Sequence, residues 1–482
     1  MLFNSLDFAI FLPVVFVLYW FLFRTKLQAQ NLLIVAASYL FYGWWDYRFL
    51  SLILFSTIVD YGVGLALNNA NNAIKKKILL WISISVNLGF LGFFKYYNFF
   101  LDNFHNAFSF FGYQLNANSL NIILPVGISF YTFQTLSYTI DVYRGNLKPT
   151  RNFISFAAFV SFFPQLVAGP IERATHLLPQ FYKIRKFDYT LAVLGSRQIL
   201  WGLFKKIVIA DNSAEIANQI FNNSDVYSGP TLLIGAFFFT FQIYGDFSGY
   251  SDIAIGTSRL FGFDLMKNFA YPYFSRDIAE FWRRWHISLS TWFRDYLYIP
   301  LGGSRGGTWL KVRNTFIIFL VSGFWHGANW TFIVWGGLNA IYFLPLLLLK
   351  RNRVHTDVVA EGKIFPSPRE ILAMGSTFLL TVLAWIFFRA ENVTHALSYI
   401  GGIFEFSNWT VPDFTEINHA VIIFYLIIFL VFIEWLGREN EFALEKIHFA
   451  PYRSLRWGFY MAVILLMFIY TGNQQQFIYF QF

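Results

Sequence analysis

Apolar runs of membrane length recur along the chain, separated by short polar connections. They lie near residues 8–23, 30–46, 50–67, 78–94, 120–140, 190–210, 229–257, 314–348, 371–388, 419–436 and 455–471. A helix needs roughly 20 apolar residues to cross a bilayer, so the pattern predicts a polytopic, all-α membrane protein. The run 153–170 carries Pro164, Gly169 and Pro170. It reads as a span or as a re-entrant loop buried in protein, where irregular backbone is tolerated. Counting such segments, about 11–13 transmembrane or re-entrant helices are expected, several of them short and therefore tilted or partly re-entrant. The stretch 271–313 departs from the pattern, being rich in Arg and Trp and ending in a glycine-rich turn. At helical spacing Trp282, Trp285, Leu289, Trp292, Phe293 and Tyr296 share one face. This predicts an amphipathic helix lying at the interface or lining a cavity. No repeat, low-complexity tract or soluble-domain linker interrupts the chain, so residues 1–482 read as a single transmembrane domain.

Composition agrees with lipid as the main solvent. Hydrophobic residues make up 56% and charged residues 13%, against about 25% charged in soluble domains. The net charge of +9 belongs to topology rather than to nucleic acid, because Lys and Arg sit between the apolar runs and no base-stacking or basic-patch module is visible. Arg24 and Lys26 follow the first run, Lys75, Lys76 and Lys77 the third, and Arg144, Lys148 and Arg151 the fifth. By the positive-inside rule these loops face the cytoplasm, as does the cluster Lys183, Arg185 and Lys186, and the N-terminus faces outward. Met1 to Phe23 has neither a basic n-region nor a small-residue cleavage site and reads as a retained span. With no cysteine in the chain, disulfides, thiolate metal sites and a cysteine acyl-enzyme are excluded.

Few polar groups interrupt the apolar runs, and each is a functional candidate by default. His326 lies in Gly323-Phe324-Trp325-His326-Gly327-Ala328-Asn329, where Gly323, Gly327 and Ala328 leave room for a substrate to approach. Histidine is the side chain best suited to move protons near neutral pH. Two readings stand open here: a catalytic imidazole, or a buried histidine bonded to a neighbouring helix. His286 falls on or beside the apolar face of the 281–296 segment, where a packing or interfacial role is the plain alternative. Asp246 sits in Phe241–Asp252 among several hydroxyls, either as helix glue or histidine orienter or as part of a site wall. The turn Gly302–Gly307 with Arg305 lacks the ending of a phosphate-binding P-loop and reads as a basic turn. No ligand spacing matches a zinc motif. Histidines 105, 176, 355, 395, 419 and 448 lie at run ends or in polar connections and read as surface residues.

Several long segments, in order, carry a resemblance: LPVGISFYTFQTLSYTIDVYRG, FFPQLVAGPIER, QIYGDFSGYSDIAIG, WRRWHISLSTWFRDYLYIPLGG and GFWHGANWTFIVWGGLN. The chain resembles the membrane-bound O-acyltransferase (MBOAT) family, and more narrowly its bacterial polysaccharide branch. That branch includes the alginate O-acetylation and peptidoglycan O-acetyltransferase membrane subunits and, more distantly, the D-alanyl transferase of teichoic acids. The core motifs fall within 120–345. The resemblance implies a ring of helices around a central funnel or tunnel in a bacterial cytoplasmic membrane. It implies that His326 is the catalytic histidine and His286 the second family histidine. The donor is then acetyl-coenzyme A or another acyl thioester, with no bound cofactor or metal. The acceptor is a surface polysaccharide, reached through a periplasmic or extracellular partner of the SGNH-hydrolase type. The tail 477–482 is similar to an aromatic F-x-Y-x-x-F tail whose tyrosine, Tyr479 here, relays the acyl group; an interfacial anchor is the plain alternative. Trp325, Asn329, Asp246, Arg283, Arg284 and Arg305 are candidates for lining the donor site. From another class, a polysaccharide transporter or export subunit without its own catalysis stays open, although no inverted repeat is visible.

Overall fold

In the computed structural model, residues 1–112, 119–447 and 450–480 are described. They are helical, with no β-strand among them. In chain order the helices are α1 Leu6–Val17, α2 Leu27–Asp46, α3 Leu50–Asn69, α4 Ala73–Leu91, α5 Tyr97–Phe110, α6 Ile128–Arg144, α7 Phe153–Ser161, α8 Ala174–Leu177, α9 Tyr189–Phe204, α10 Asp211–Asn222, α11 Gly229–Leu260, α12 Ile278–Arg284, α13 Ile287–Phe293, α14 Thr308–His326, α15 Trp330–Leu348, α16 Pro368–Arg389, α17 Val393–Ile403, α18 Ile417–Gly437 and α19 Arg453–Ile469. Five described stretches are long and apolar enough to cross a membrane: Leu27–Asn69, Ala73–Phe110, Trp330–Leu348, Pro368–Arg389 and Ile417–Gly437. On α18 the outward side chains include Val421, Phe424, Tyr425, Ile428 and Phe432, which suits lipid and not water.

The described residues form two compact units, one of Met1–Val193 with Thr257–Met266, the other of Leu194–Gly256 with Lys267–Phe482. In the first, a buried carboxylate ties three helices together. Asp60 of α3 accepts from Asn87 of α4 at 2.9 Å, from Thr139 of α6 at 3.0 Å and from Ser83. Thr135 and Ser56 then donate to Asn87 Oδ1 at 3.0 and 2.9 Å. Polar groups between apolar helices are stable only when satisfied in this way. Arg185, one of the cluster read as cytoplasmic, is buried in this unit. It donates to Asn31 at 2.6 Å and lies 4.8 Å from the Phe263 ring centre. His176, expected as an ordinary surface residue, bridges Glu172 at 2.8 Å and Asp264 at 3.3 Å. Its ring N–H groups donate to the Asp264 and Glu172 carboxylates, which raises its pKa to about 10. His448 lies outside the described residues.

The second unit departs from the sequence pattern in two places. The apolar run 314–348 is two helices, α14 and α15, broken at Gly327–Asn329 and packed as a hairpin. Their approach is close because a Cβ on Gly323 would overlap the Phe332 carbonyl oxygen, and one on Gly336 the Phe319 carbonyl oxygen. The amphipathic segment 281–296 is likewise not one helix. It breaks at Trp285 and His286 between α12 and α13, and a π-helical turn, Arg294–Tyr298, follows. Periodicity registers the shared apolar face but not a single residue that leaves helical geometry.

Candidate active site

His326 is the last residue of α14 and is 3% exposed. Gly327 has extended backbone, and Asn329 starts α15 as its N-cap, its side chain accepting from Thr331 N at 3.0 Å. Asn329 Nδ2 also donates to the Glu391 carbonyl at 2.8 Å. Asn329 therefore fixes the α14–α15 break. Around the His326 imidazole stand Trp325 at 4.9 Å, Trp335 at 5.1 Å and Phe388 at 5.4 Å between ring centres, all edge-on. Edge-to-face packing of this kind is a favourable aromatic geometry, and it holds the imidazole in an enclosure that excludes water.

His286 is 1% exposed and adopts a left-handed backbone, φ 46°. Asn268 sets this conformation. Its carbonyl accepts from Ile287 N at 2.9 Å, and its side-chain Oδ1 meets Ser288 Oγ at 2.9 Å, Ser288 N at 3.4 Å and His286 Nδ1 at 3.0 Å. The Ser288 backbone N–H can only donate, so the atom it meets is the amide oxygen. His286 Nδ1 must then carry the proton and donate. Nε2 is left with the lone pair, buried and without a hydrogen-bond partner among the described residues. Which ring nitrogen is free is set by the bond the other makes. A neutral His286 in this tautomer accepts a hydrogen bond and does not polarise a carbonyl. Asn268 in turn donates to Ser251 of α11 at 3.0 Å.

Tyr479 completes the cluster. Its ring centre is 5.6 Å from that of His326, 6.3 Å from that of His286 and 4.4 Å from that of Phe247. The two histidine rings are 6.4 Å apart, and Trp325 stands 6.1 Å from His286. Of the tail, Phe477 and Ile478 are buried, while Gln481 and Phe482 lie outside the described residues. Asp246 lies behind this cluster, in an ion pair with Lys206 at 2.8 Å and accepting from Ile478 N at 2.6 Å.

The arginines divide. Arg283 donates to the carbonyls of Asn352 and His355 at 2.8 and 2.5 Å. Arg284 pairs with buried Glu280 at 2.8 Å and donates to the Asp357 carbonyl at 2.8 Å. Both tie the segment after α15 onto α12. Arg305 is exposed in the glycine turn. No group of three or more metal-ligating side chains occurs among the described residues. Sequence reasoning passed over Asn268, Lys206 and Asp211. The signal available for the last two was a lysine pair inside an apolar run, with Asp211 five residues after Lys206.

Residues 147–363 match the model of the membrane-bound O-acyltransferase family, MBOAT. Over 408 residues the chain is 42% identical to the probable alginate O-acetylase AlgI of Azotobacter vinelandii, covering 84% of this chain and 78% of that relative. It is 38% identical to the peptidoglycan O-acetyltransferase of Helicobacter pylori over 82% of this chain and 77% of that one. With the teichoic acid D-alanyltransferase of Streptococcus thermophilus it shares 31% identity over 55% of this chain and 68% of that one.

Proposed function

This chain belongs to the membrane-bound O-acyltransferase family, and on that premise we propose that it moves an acetyl or similarly short acyl group from a cytoplasmic thioester, such as acetyl-coenzyme A, to hydroxyls of a cell-surface polysaccharide. It is a multi-pass membrane protein and an O-acyltransferase. Relatives that are an alginate O-acetylase and a peptidoglycan O-acetyltransferase support a polymeric acceptor. The basic loops support a bacterial cytoplasmic membrane with the N-terminus outside.

One observation carries the reading. The rings of His326, His286 and Tyr479 lie within 6.4 Å of one another inside a buried aromatic enclosure. His326 is the general base. It takes the phenolic proton of Tyr479, the phenolic oxygen attacks the thioester carbonyl, the C–S bond breaks, and the thiolate leaves with that proton. In the second half-reaction an acceptor hydroxyl gives its proton to the imidazole and attacks the tyrosyl ester. The ester C–O bond to Tyr479 then breaks, and the phenol regains its proton. His286 Nε2 accepts a hydrogen bond from the incoming hydroxyl and orients it, while Trp325 walls the site. Arg305 is the better placed cation for an anionic donor, because Arg283 and Arg284 already hold main-chain carbonyls and Glu280. A positioned base is worth about 10²–10⁴-fold.

The test is an acetyl-ester assay on envelope polysaccharide, with wild type and His326→Ala at equal membrane abundance. Ester should fall by about 10²-fold or more, and full ester in the variant would remove the catalytic role. The same assay bears on the partner. The chain carries no Ser-His-Asp signature, so transfer to polymer calls for an SGNH-type partner outside the membrane. The purified chain alone should leave polymer unesterified, and full activity without a partner would refute that requirement.

A further inference from the structure

Residues 471–477 have no regular secondary structure and lead into a short turn, Ile478–Phe480. Main-chain groups in such a segment must find partners elsewhere. Here three buried charged side chains take them up. Lys206 Nζ donates to the Gln475 carbonyl at 3.2 Å, Asp211 hydrogen-bonds the Gln475 main chain, and Asp246 Oδ2 accepts the Ile478 N–H at 2.6 Å. Lys206 also joins the two carboxylates, at 2.7 Å to Asp211 and 2.8 Å to Asp246. Upstream, Asn212 donates to the Tyr470 carbonyl at 3.0 Å, and Glu215 accepts from Asn473 N at 2.9 Å.

The arrangement is reciprocal. Two carboxylates share one ammonium in a buried place, and an under-compensated buried charge is costly. The tail's N–H groups supply the missing donors, so the charges need the tail as much as the tail needs them. A π-helical turn, Lys205–Ala210, brings Lys206 to this cluster, and Asp211 begins α10 directly after it. On α11 the residue after Asp246 is Phe247, which packs on Tyr479, and one turn on is Tyr250, 4.9 Å from Phe477. The hold on Ile478 N therefore sets the position of the next residue, Tyr479.

We infer that Lys206, Asp211 and Asp246 are positioning residues that latch the main chain of residues 475–478 and so hold Tyr479 against His326. The functional part rests on the relay reading of Tyr479. The latch itself does not.

The chain has no cysteine, so Ile478→Cys introduces its only thiol, at a position 1% exposed when latched. Alkylation of that thiol is measured in membranes with the latch intact and with Lys206→Met plus Asp246→Leu, a pair that removes both charges of one ion pair together and the oxygen that accepts the Ile478 N–H. Alkylation should be at least tenfold faster in the unlatched chain. With the native Ile478 restored, the same pair should lower kcat at least tenfold and leave the KM for the donor unchanged. Unchanged alkylation overturns the latch. Faster alkylation with normal transfer leaves the latch standing and removes the relay reading, and a fully active Tyr479→Phe would say the same. Where the double variant does not accumulate, Ile478→Pro deletes the N–H that Asp246 accepts, fixes φ at the start of the short turn, and keeps all three charges. It should lose transfer equally, and full activity in it overturns the positioning role.

Discussion

His286 spends conformational energy to stand where it does: a left-handed backbone at a non-glycine residue costs of order 1–3 kcal/mol and persists only when its surroundings over-determine it. Asn268 supplies that determination through its main chain and its amide together. Asn268→Ala should therefore lower acyl transfer by about tenfold, the worth of roughly one hydrogen bond, with little change in membrane abundance. Asn268→Asp is the sharper probe. A carboxylate facing Nδ1–H favours the imidazolium, so the acid limb of the rate profile should move to higher pH. A profile identical to wild type would mean that His286 does not titrate in the reaction. His326 is legible in the sequence as an imidazole inside an apolar run, and His286 as one on or beside the apolar face of an amphipathic segment. Asn268 is not: it lies 18 residues before His286, and nothing in local spacing relates the two.

At the scale of elements, the hairpin of α14 and α15 carries His326 at its hinge, and its close approach depends on glycine. Gly323→Ala should cost about 1–3 kcal/mol by overpacking, seen as a lower midpoint of thermal unfolding in detergent. An unchanged midpoint would show that the two helices can separate freely. The apolar runs predicted most of these elements, including α16 and α18, because length and composition alone identify a helix able to cross lipid. They failed where function bends the chain. Gly327-Ala328-Asn329 reads as a continuation of an apolar stretch, yet Asn329 is a cap that ends one helix and begins another. His286 similarly interrupts what periodicity presents as one amphipathic helix. In both cases hydrophobicity records which face is buried, and the break is decided by hydrogen bonds to residues distant in sequence.

For the whole molecule, the charge pattern makes a claim about sidedness. In this naturally cysteine-free chain, a thiol at His105→Cys should react with an impermeant reagent from outside intact cells. One at Lys75→Cys should react only after the membrane is opened, and the reverse result would invert the topology. The aromatic enclosure has one more consequence. Trp325 and Trp335 stand 4.9 and 5.1 Å from the His326 ring, so two natural fluorophores border that imidazole. Indole emission responds to a nearby imidazole's charge and to the polarity around it. A donor or acceptor entering the enclosure should therefore change the colour and yield of that emission, and the difference lost in Trp335→Phe isolates the local signal. Occupancy of this site can be followed with light alone, without waiting for a bond to be made.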